Sequence, residues 1–402
     1  MANASSTTDK QFDRRSGLAF IVAFGIVSLF ADMAYEGMRG ISGPFLAGLG
    51  ASGAAVGAIA GTGELFGYLL RLGSGRIAER TGAYWPLALA GYALQMAAVP
   101  ALALAGNWWS AAIFIVLERT GKAVRNPAAN TMMSRAGEKI GQGWAFGLHE
   151  ALDQTGALAG PLIAALVLAL HHDYRLAFLW LGVPAVLTIV SVVTVRWRFP
   201  HAGDVARKPH DAPAGADLSR PFWLYAASAM LVAFGFADFS LIAFHFAKSA
   251  IFSQAVVPIL YAGAMAASGA GSLAFGRWFD ARGLGVLVPG ILIGAVAAPL
   301  AFLGGASFAV AGVVAWGLSM GVHDAIMNAG VARLVPEHAR ARAYGVFTAL
   351  YGIAWFLGSV LMGLLYDRSL GALAGVSVAA ELAALIPLFL ALRALGSSSA
   401  QR

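Results

Sequence analysis

The sequence contains no cysteine, which excludes disulfide bonds and thiolate metal sites. Charged side chains are also scarce, at 12% of the chain, which is about half the share of an ordinary soluble domain. No Gly-rich loop ending in Gly-Lys-Ser or Gly-Lys-Thr is present, so nothing indicates an ATP-driven machine. Because HExxH and nucleophile–base motifs are missing too, we predict no enzymatic activity, no cofactor and no bound metal.

Apolar residues, in contrast, are abundant. They occupy 59% of the 402 positions, which is more than a soluble protein of this length could bury. A bilayer can cover such a surface, and one spanning helix needs about 20 mostly apolar residues. The net charge of +7 could suggest a nucleic-acid partner, but the basic residues fall mostly in short loops, where they set topology. We therefore predict an all-α integral membrane protein whose partner is the lipid bilayer and not nucleic acid.

Twelve apolar segments account for nearly the whole chain, in two sets of six around a polar, proline-containing stretch at 197–221. We predict an N-terminal six-helix bundle at 1–196, a cytoplasmic linker at 197–221 and a C-terminal six-helix bundle at 222–402, in a monomeric protein. The predicted helices are 17–38, 51–72, 84–105, 109–133, 144–170, 174–196, 222–248, 254–276, 285–305, 308–333, 343–366 and 371–394.

Lysine and arginine outside the segment centres lie mainly on one side. Eighteen fall there: Lys10, Arg14, Arg15, Arg76, Arg80, Arg135, Lys139, Arg196, Arg198, Arg207, Lys208, Arg220, Arg277, Arg282, Arg340, Arg342, Arg393 and Arg402. Four fall on the other side: Arg39, Arg175, Lys248 and Arg368. Because basic loops stay on the cytoplasmic side, we expect both termini in the cytoplasm and the protein in the inner or plasma membrane.

The two halves repeat each other. Phe-Ala-Asp occurs in the first predicted helix, ending at Asp32, and again in the seventh, ending at Asp238. Residues 75–82 read GRIAERTG after the second helix, and residues 276–283 read GRWFDARG after the eighth. Several matches in the same order at nearly one offset indicate a duplicated six-helix unit.

These motifs resemble those of the major facilitator superfamily. The segments 75–82 and 276–283, here called the latch segments, resemble its signature loops, although Glu79 stands where the family usually has Asp and the usual second basic cluster is missing. Arg119, Gly121 and Pro127 resemble its helix 4 motif. Gly156, Gly160 and Pro161 resemble the GxxxGP pattern of its antiporters. The latch residues that the resemblance identifies are Gly75, Arg76, Glu79, Arg80, Gly82, Asp280, Arg282 and Gly283.

The resemblance implies a fold with two pseudo-symmetric bundles around a central cavity that opens alternately to either side. Duplicated halves place the substrate site at their interface near the middle of the membrane. The resemblance also implies that Arg119 takes part in proton transfer. A small-molecule substrate and protons are then the expected partners besides lipid.

Many ionisable residues lie within the predicted helices, where a charge costs about 2.5–3.5 kcal/mol on insertion scales. We predict that some carry the exchanged proton: Asp32, Glu36, Glu118, His149, Glu150 and Asp153. Others are predicted to bind substrate: Tyr35, Arg119, Lys122, Arg125, Asp238, His245, His323 and Asp324. Glu118, Lys122 and Arg125 share one helical face, so we expect them to present a carboxylate and two cations to one volume. The alternative is that these charges pair and hold helices together.

The sequence therefore predicts a proton-coupled secondary transporter, with export of a small polar or anionic molecule by antiport favoured by GxxxGP. A symporter that imports a polar metabolite and a multidrug efflux pump stay open as alternatives. A membrane receptor or scaffold that does not transport is a further alternative, which the repeated latch segments disfavour.

Overall fold

The computed structural model describes residues 12–138, 140–204, 218–336 and 339–399, without the side chains of 142, 324–326, 328, 341 and 396–399. The described residues form thirteen α-helices and three short 3₁₀ turns, with no strand among them. The α-helices are α1 (Arg14–Gly48), α2 (Gly53–Thr81), α3 (Tyr84–Ala101), α4 (Trp108–Gly137), α5 (Gln142–His171), α6 (Tyr174–Arg198), α7 (Arg220–Gly235), α8 (Phe239–Lys248), α9 (Val256–Arg282), α10 (Leu287–Leu303), α11 (Ala306–Leu334), α12 (Arg340–Tyr366) and α13 (Leu370–Ser399).

The helices make twelve membrane spans. Ten described stretches are long and apolar enough to cross a bilayer, and one of them, Val256–Leu303, holds both α9 and α10. The twelfth span is α4, which is as long as its neighbours but carries four charged residues in its middle. Helices α7 and α8 together form a single broken span, Arg220–Lys248. The predicted all-α fold with twelve spans is therefore confirmed.

The outer surface of the helices is apolar. Large hydrophobic side chains that the rest of the protein leaves uncovered occur on most helices, for example Leu166, Leu170, Val186, Val190 and Ile386. In water such a surface would be unfavourable, because burying apolar area is the main driving force of folding. The protein is therefore an integral membrane protein, with this surface against lipid.

The latch segments are helical and not loops, so the predicted ends of the second and eighth helices were wrong. Helices α2 and α9 continue through 75–82 and 276–283 because these segments contain good helix formers and no proline. Each helix ends only at the last glycine, Gly82 with φ 71° and Gly283 with φ 69°. The Gly82 amide donates to the Ala78 carbonyl at 2.8 Å, which is a typical left-handed C-terminal cap.

The spans pack into two bundles with the same pattern of neighbours. In the N-terminal bundle α1 packs on α5 and α6, α3 on α4 and α6, and α2 on α4. In the C-terminal bundle α7 packs on α12 and α13, α10 on α11 and α13, and α9 on α11. Contacts between the bundles are made by α2 with α12, α5 with α9, and α1 with α8. The pseudo-symmetry predicted from the repeats is thus present in the packing.

Glycines at corresponding places allow the helices to approach closely. A Cβ atom at Gly156 or Gly160 of α5 would collide with backbone carbonyl oxygens of α1, and α5 continues through Pro161 without a break. A Cβ atom at Gly358 of α12 would collide in the same way with the backbone of α7. The GxxxGP pattern therefore has a packing role in this structure, whatever its further role in transport.

The two ends of the molecule differ in how the bundles meet. We call the end where α1 begins and α13 ends the terminal face, and the other end the opposite face. At the opposite face the Asp367 carboxylate accepts hydrogen bonds from the amides of Gly53 and Ala54, both at 2.8 Å. The hydroxyls of Ser42 and Ser240 lie 3.4 Å apart across the same interface. The cavity between the bundles is therefore closed towards the opposite face.

Candidate functional site

The ionisable residues of α1 follow one face of that helix. Asp32, Tyr35, Glu36 and Arg39 recur every three or four residues, so they lie on successive turns. Tyr35, Glu36 and Arg39 are each less than 9% exposed, and the Asp32 side chain is 13% exposed. Because water reaches them so little, their protein partners determine what they can do.

A buried chain of polar side chains joins α3 to α4. The Gln95 amide nitrogen donates to Glu118 Oε1 at 2.7 Å, and the Gln95 carbonyl oxygen accepts from Arg125 Nε at 2.6 Å. Arg125 also donates to the Tyr92 hydroxyl at 3.1 Å and lies 3.9 Å from an Asp32 oxygen. Glu118 is fully buried, and the Arg125 side chain is only 6% exposed. These groups therefore connect α1, α3 and α4 from within the N-terminal bundle.

This arrangement differs from the expectation that Glu118, Lys122 and Arg125 present a carboxylate and two cations to one volume. Glu118 and Arg125 turn towards α3, where the Gln95 side chain binds both of them. Lys122 alone is partly exposed, with its ammonium 3.7 Å from the centroid of the Tyr35 ring. Within the described part of the chain, no carboxylate oxygen lies within 4.0 Å of the Lys122 ammonium.

Arg119 is already paired. Its guanidinium lies 3.0 Å from Glu64 of α2 and 3.8 Å from Glu118, and it donates a hydrogen bond to the Tyr35 hydroxyl. The side chains of Arg119 and Glu64 are 12% and 15% exposed, so the pair lies at the edge of the interior. A substrate anion would have to compete with Glu64 for Arg119, whereas no carboxylate of the described residues lies in ion-pair contact with Lys122.

Helix α5 contributes a histidine and a carboxylate on one face. His149 Nε2 lies 3.8 Å from Asp153 Oδ2 and 3.4 Å from the Ser28 hydroxyl of α1. Asp153 Oδ1 is buried and has no hydrogen-bond partner among the described residues. Glu150 differs, because it is exposed and accepts a hydrogen bond from Gln154 at 2.9 Å. The structure thus brings His149 and Asp153 together and leaves Glu150 outside the pair.

Two polar contacts cross from α1 to the C-terminal bundle. Arg39 lies 3.7 Å from Asp238, and the Tyr261 hydroxyl of α9 donates to Glu36 at 2.5 Å. All four side chains are buried. Glu36 and Arg39 therefore belong to the interface between the bundles, where a relative movement of the bundles would break their contacts.

The repeated aspartates occupy different environments in the two bundles. Asp32 lies within the continuous helix α1, whereas Asp238 precedes α8 and accepts a hydrogen bond from the Ser240 amide at 2.8 Å. The break between α7 and α8 is supported by the Trp316 indole, which donates to the Ala237 carbonyl at 2.8 Å. The prediction of one continuous helix over 222–248 was therefore wrong.

His245 and His323 lie in separate places. His245, which was predicted to bind substrate, contacts the Tyr366 hydroxyl at 3.1 Å near the opposite face. His323 of α11 instead lines a cavity of about 60 Å³ between the bundles. The side chain of Asp324 lies outside the described residues.

The lining of this cavity is mainly aromatic. Besides His323, it consists of Tyr68 of α2, Met320 of α11 and, from α12, Phe347, Thr348, Tyr351 and Trp355. The Tyr68 and Tyr351 rings meet edge to face, with centroids 5.7 Å apart. Aromatic faces bind planar or apolar groups, so this cavity could accept such a group.

The charged latch residues are exposed at the terminal face. Within the described ranges, Arg76, Glu79, Arg80, Asp280 and Arg282 make no ion pair. Their role in switching between conformations stays a prediction. In the same conformation that is closed at the opposite face, these residues of the terminal face therefore make no described ion pair.

The predicted site omits several buried polar residues that the structure reveals. Gln95 and Tyr92 hold Arg125, and Tyr261 holds Glu36, whereas Glu381 of α13 is fully buried and lies apart from these groups. Gln95 and Glu381 are each a single polar residue within an otherwise apolar helix segment. That pattern could have identified both, because a polar side chain at membrane depth requires a partner or a function.

Twelve spans in two pseudo-symmetric bundles, with buried charges at their interface, define a polytopic membrane transporter. The family model of the Major Facilitator Superfamily matches residues 16–359. The chain belongs to this superfamily.

Similar proteins agree with this assignment. An uncharacterized protein of Mycobacterium tuberculosis is 38% identical over 380 residues, which cover 93% of each chain. An uncharacterized MFS-type transporter of Methanocaldococcus jannaschii is 24% identical over 360 residues, covering 87% of this chain and 89% of the relative. A crystal structure of the nucleoside transporter NupG has a TM-score of 0.76 at 14% identity and covers 92% of this chain and 99% of that chain. The last similarity concerns the fold alone.

Proposed function

We propose that the protein is a proton-coupled secondary transporter that exports a small polar or anionic molecule by antiport through alternating access. The observation that carries the proposal is Lys122, a partly exposed cation without a described carboxylate partner, in the same bundle as the partly buried acids Asp32 of α1 and Asp153 of α5. Lys122 and Arg125 act electrostatically on both Asp32 and Asp153. An anion and a proton can therefore compete within one group of charges.

The coupling would follow from charge balance. In the described conformation, the cations Lys122 and Arg125 compensate the carboxylates of Asp32 and Asp153. A substrate anion that binds Lys122 would rearrange these pairs, and the carboxyl group that gains Arg125 as its partner would release its proton, so that anion and proton bind in alternation as antiport requires. His149, 3.8 Å from Asp153, would pass that proton to or from water.

The substrate site would extend from Lys122 to the aromatic cavity. The Tyr35 ring, against which Lys122 lies, belongs to the charged side of the interface. Tyr351 and Trp355 form the other side. An organic anion with a planar or apolar part would contact both sides, whereas an inorganic anion would contact only the first.

The proposal includes the orientation of the protein in the membrane and the direction of substrate transport. The eighteen-to-four distribution of basic residues supports a cytoplasmic terminal face in an inner or plasma membrane. The structure would then represent the conformation closed to the outside. The GxxxGP motif supports antiport, and thus export driven by protons that flow inwards.

A multidrug efflux pump is a second candidate, and the aromatic cavity is the observation that favours it. A symporter that imports a polar metabolite would use the same residues with the opposite direction of substrate movement. A multidrug pump should bind lipophilic cations, which the free Lys122 ammonium would repel. The charge of the bound molecules therefore separates a multidrug pump from the proposed exporter, and flux measurements separate the symporter.

The experiment is a thermal-shift series on the purified protein with small organic anions, zwitterions and lipophilic cations. We expect organic anions to raise the melting temperature. Lys122→Met should weaken their binding on the order of tenfold, because a hydrogen bond to a charged group contributes about 1.5–3 kcal/mol. Lys248→Met, which removes an exposed lysine at the opposite face, is the matched control and should bind normally. Stabilisation by lipophilic cations alone would favour the multidrug pump instead.

A further inference from the structure

The C-terminal bundle contains a carboxylic acid that none of the roles above uses. Glu381 lies in the middle of α13 and is fully buried, with 0% of its surface exposed. Neither of its carboxyl oxygens has a hydrogen-bond partner among the described residues. The other described acids at membrane depth have a basic group or a hydrogen-bond donor within 4.0 Å, namely Asp32, Glu36, Glu64, Glu118, Glu150, Asp153 and Asp238.

Two glycines make room for this side chain. A Cβ atom at Gly235 of α7 would lie 3.3 Å from Glu381 Cγ, and one at Gly294 of α10 would lie 3.1 Å from Glu381 Oε1. The Ser319 hydroxyl of α11 lies 2.7 Å from that same Cβ position at Gly294. The Ser319 and Glu381 oxygens are therefore at most 5.8 Å apart, the sum of the last two distances.

The surroundings of Glu381 bear no compensating charge. Glycines face it from α7 and α10, and Ser319 with His323 behind it approaches from α11. Other ionisable residues on the neighbouring helices are Arg220 and Tyr225 of α7, Asp324 and Arg333 of α11, and Arg340, Arg342, Tyr344, Tyr351 and Tyr366 of α12. The described side chains among them form no hydrogen bond or ion pair with Glu381.

A short polar route leads from Glu381 to the aromatic cavity. The Ser319 hydroxyl lies 3.4 Å from His323 Nε2, and His323 lines the cavity. His323 Nδ1 is buried and has no partner among the described residues. One water molecule, or a rotation of the Glu381 side chain, would close the remaining gap between Ser319 and the carboxyl group.

An unpaired carboxylate in such a place is strongly unfavourable, since burying a charge costs several kcal/mol unless it is paired. The neutral acid fits the described conformation, because it leaves no buried charge. An acid that must be neutral here, and that a histidine connects to the cavity, has the properties of a proton store.

We propose that Glu381 is a proton-binding site of the C-terminal bundle, loaded from the cavity through His323 and Ser319. This inference rests on the proposed proton coupling and adds a second site to the one around Asp153. In the loading step a proton binds His323 Nδ1, and the Nε2 proton passes to the Ser319 oxygen. The original Ser319 hydroxyl proton then passes to the Glu381 carboxylate. The result is a neutral acid, a neutral imidazole with its proton on Nδ1, and an intact hydroxyl group.

The test is infrared spectroscopy of the purified protein in the absence of substrate, in which the spectrum of each variant is subtracted from that of the wild type. The carbonyl stretch of a protonated carboxylic acid lies at a higher frequency than the stretches of a carboxylate or an amide, and it shifts in deuterated water. We expect Glu381→Gln to lose one such band and to stay folded, because Gln has the shape of the neutral acid. Glu79→Gln, which removes an exposed glutamate, should keep the band. A Glu381→Gln spectrum that superimposes on that of the wild type would overturn the proposal.

The rate of deuterium exchange in Ser319→Ala is a second measurement, which does not depend on the Glu381→Gln variant. The acid band should remain, but its deuterium shift should become at least tenfold slower, because the route to the cavity is interrupted. Unchanged exchange in Ser319→Ala would overturn the proposed route. Neither measurement involves transport. Absence of proton-coupled flux in the wild type would therefore refute the proposed function, whereas the infrared bands alone decide whether Glu381 binds a proton.

Discussion

The N-terminal and C-terminal bundles face the same interface with different chemistry. In the N-terminal bundle, Arg125 joins residues of α1 and α3, and its charge is used within the bundle. The C-terminal bundle presents Tyr351 and Trp355 to the cavity and keeps a single acid, Glu381, without a described partner. One bundle therefore holds its charges in a connected group, and the other holds aromatic rings and an isolated acid.

The helix packing of the two bundles, in contrast, is the same. Gly160 of α5 and Gly358 of α12 make equivalent close approaches to the first helix of their own bundle. The helix pairs within the bundles correspond one to one. Duplication therefore preserved the contacts between backbones while the side chains that line the cavity diverged. Such divergence suits a transporter in which one bundle handles charge and the other contacts the rest of the substrate.

Removing the central charge of the N-terminal bundle should have the largest effect. Arg125→Leu leaves the buried Gln95 and Tyr92 and the partly buried Asp32 without their shared partner. Breaking a buried ion pair on one side typically costs about 3–5 kcal/mol, so we expect a marked fall in the unfolding temperature. Arg333→Leu on α11, the counterpart of α4, removes an exposed arginine that contacts the carbonyl and the ring of Phe279 and makes no described ion pair, so it should change stability little. Equal destabilisation by both changes would contradict the difference between the bundles.

Enlarging the packing glycines should affect the two bundles equally. Gly160→Val and Gly358→Val each force a side chain against the backbone of a neighbouring helix. Overpacking of this kind costs about 1–3 kcal/mol, and thermal unfolding should show a similar loss for both. Gly147→Val is the control on α5, because nothing lies within 4 Å of a Cβ atom there. A large loss for only one of the two changes would show that the scaffolds are not equivalent.

The smallest effect is expected at the aromatic side of the cavity. Tyr351→Ala should weaken binding of a ring-containing anion by about 0.5–1.5 kcal/mol, the usual contribution of an aromatic pair, while Tyr351→Phe retains the ring and should bind normally. Titration calorimetry with the anions found in the thermal-shift series would measure both. If Tyr351→Phe loses as much affinity as Tyr351→Ala, the hydroxyl and not the ring is the contact.

The sequence predicts the helices well because each span has to satisfy its own backbone hydrogen bonds in lipid. The break between α7 and α8 was missed because residues 222–248 contain no proline and are mostly apolar, although Gly235 ends α7 and Asp238 caps α8. A tertiary contact, which the sequence does not show, supports the break: the Trp316 indole, far away in the chain, satisfies the free Ala237 carbonyl. The ends of α2 and α9 were missed for a local reason. The latch segments were interpreted as loops because they resemble signature loops, although their own residues are good helix formers.

The site was only partly predictable. Helical spacing places residues on one face of their own helix, as for Asp32 and Arg39 of α1. It does not show how a neighbouring helix is rotated, and so it could not show that Gln95 would draw Arg125 away from Lys122. The aromatic lining was missed because Tyr351 and Trp355 look like ordinary packing residues until two bundles enclose a cavity between them.

Proton flux in proteoliposomes tests the central claim most directly. With a trapped pH-sensitive dye and an organic anion that stabilises the protein, the wild type should move protons in exchange for the anion. Asp153→Asn should abolish transport driven by a pH gradient and retain anion exchange at equal pH, because it removes the proton carrier and keeps Lys122. Asp173→Asn, at an exposed helix cap, should behave as the wild type. Full pH-driven transport by Asp153→Asn would contradict the account, and the proton carrier would then have to be sought elsewhere.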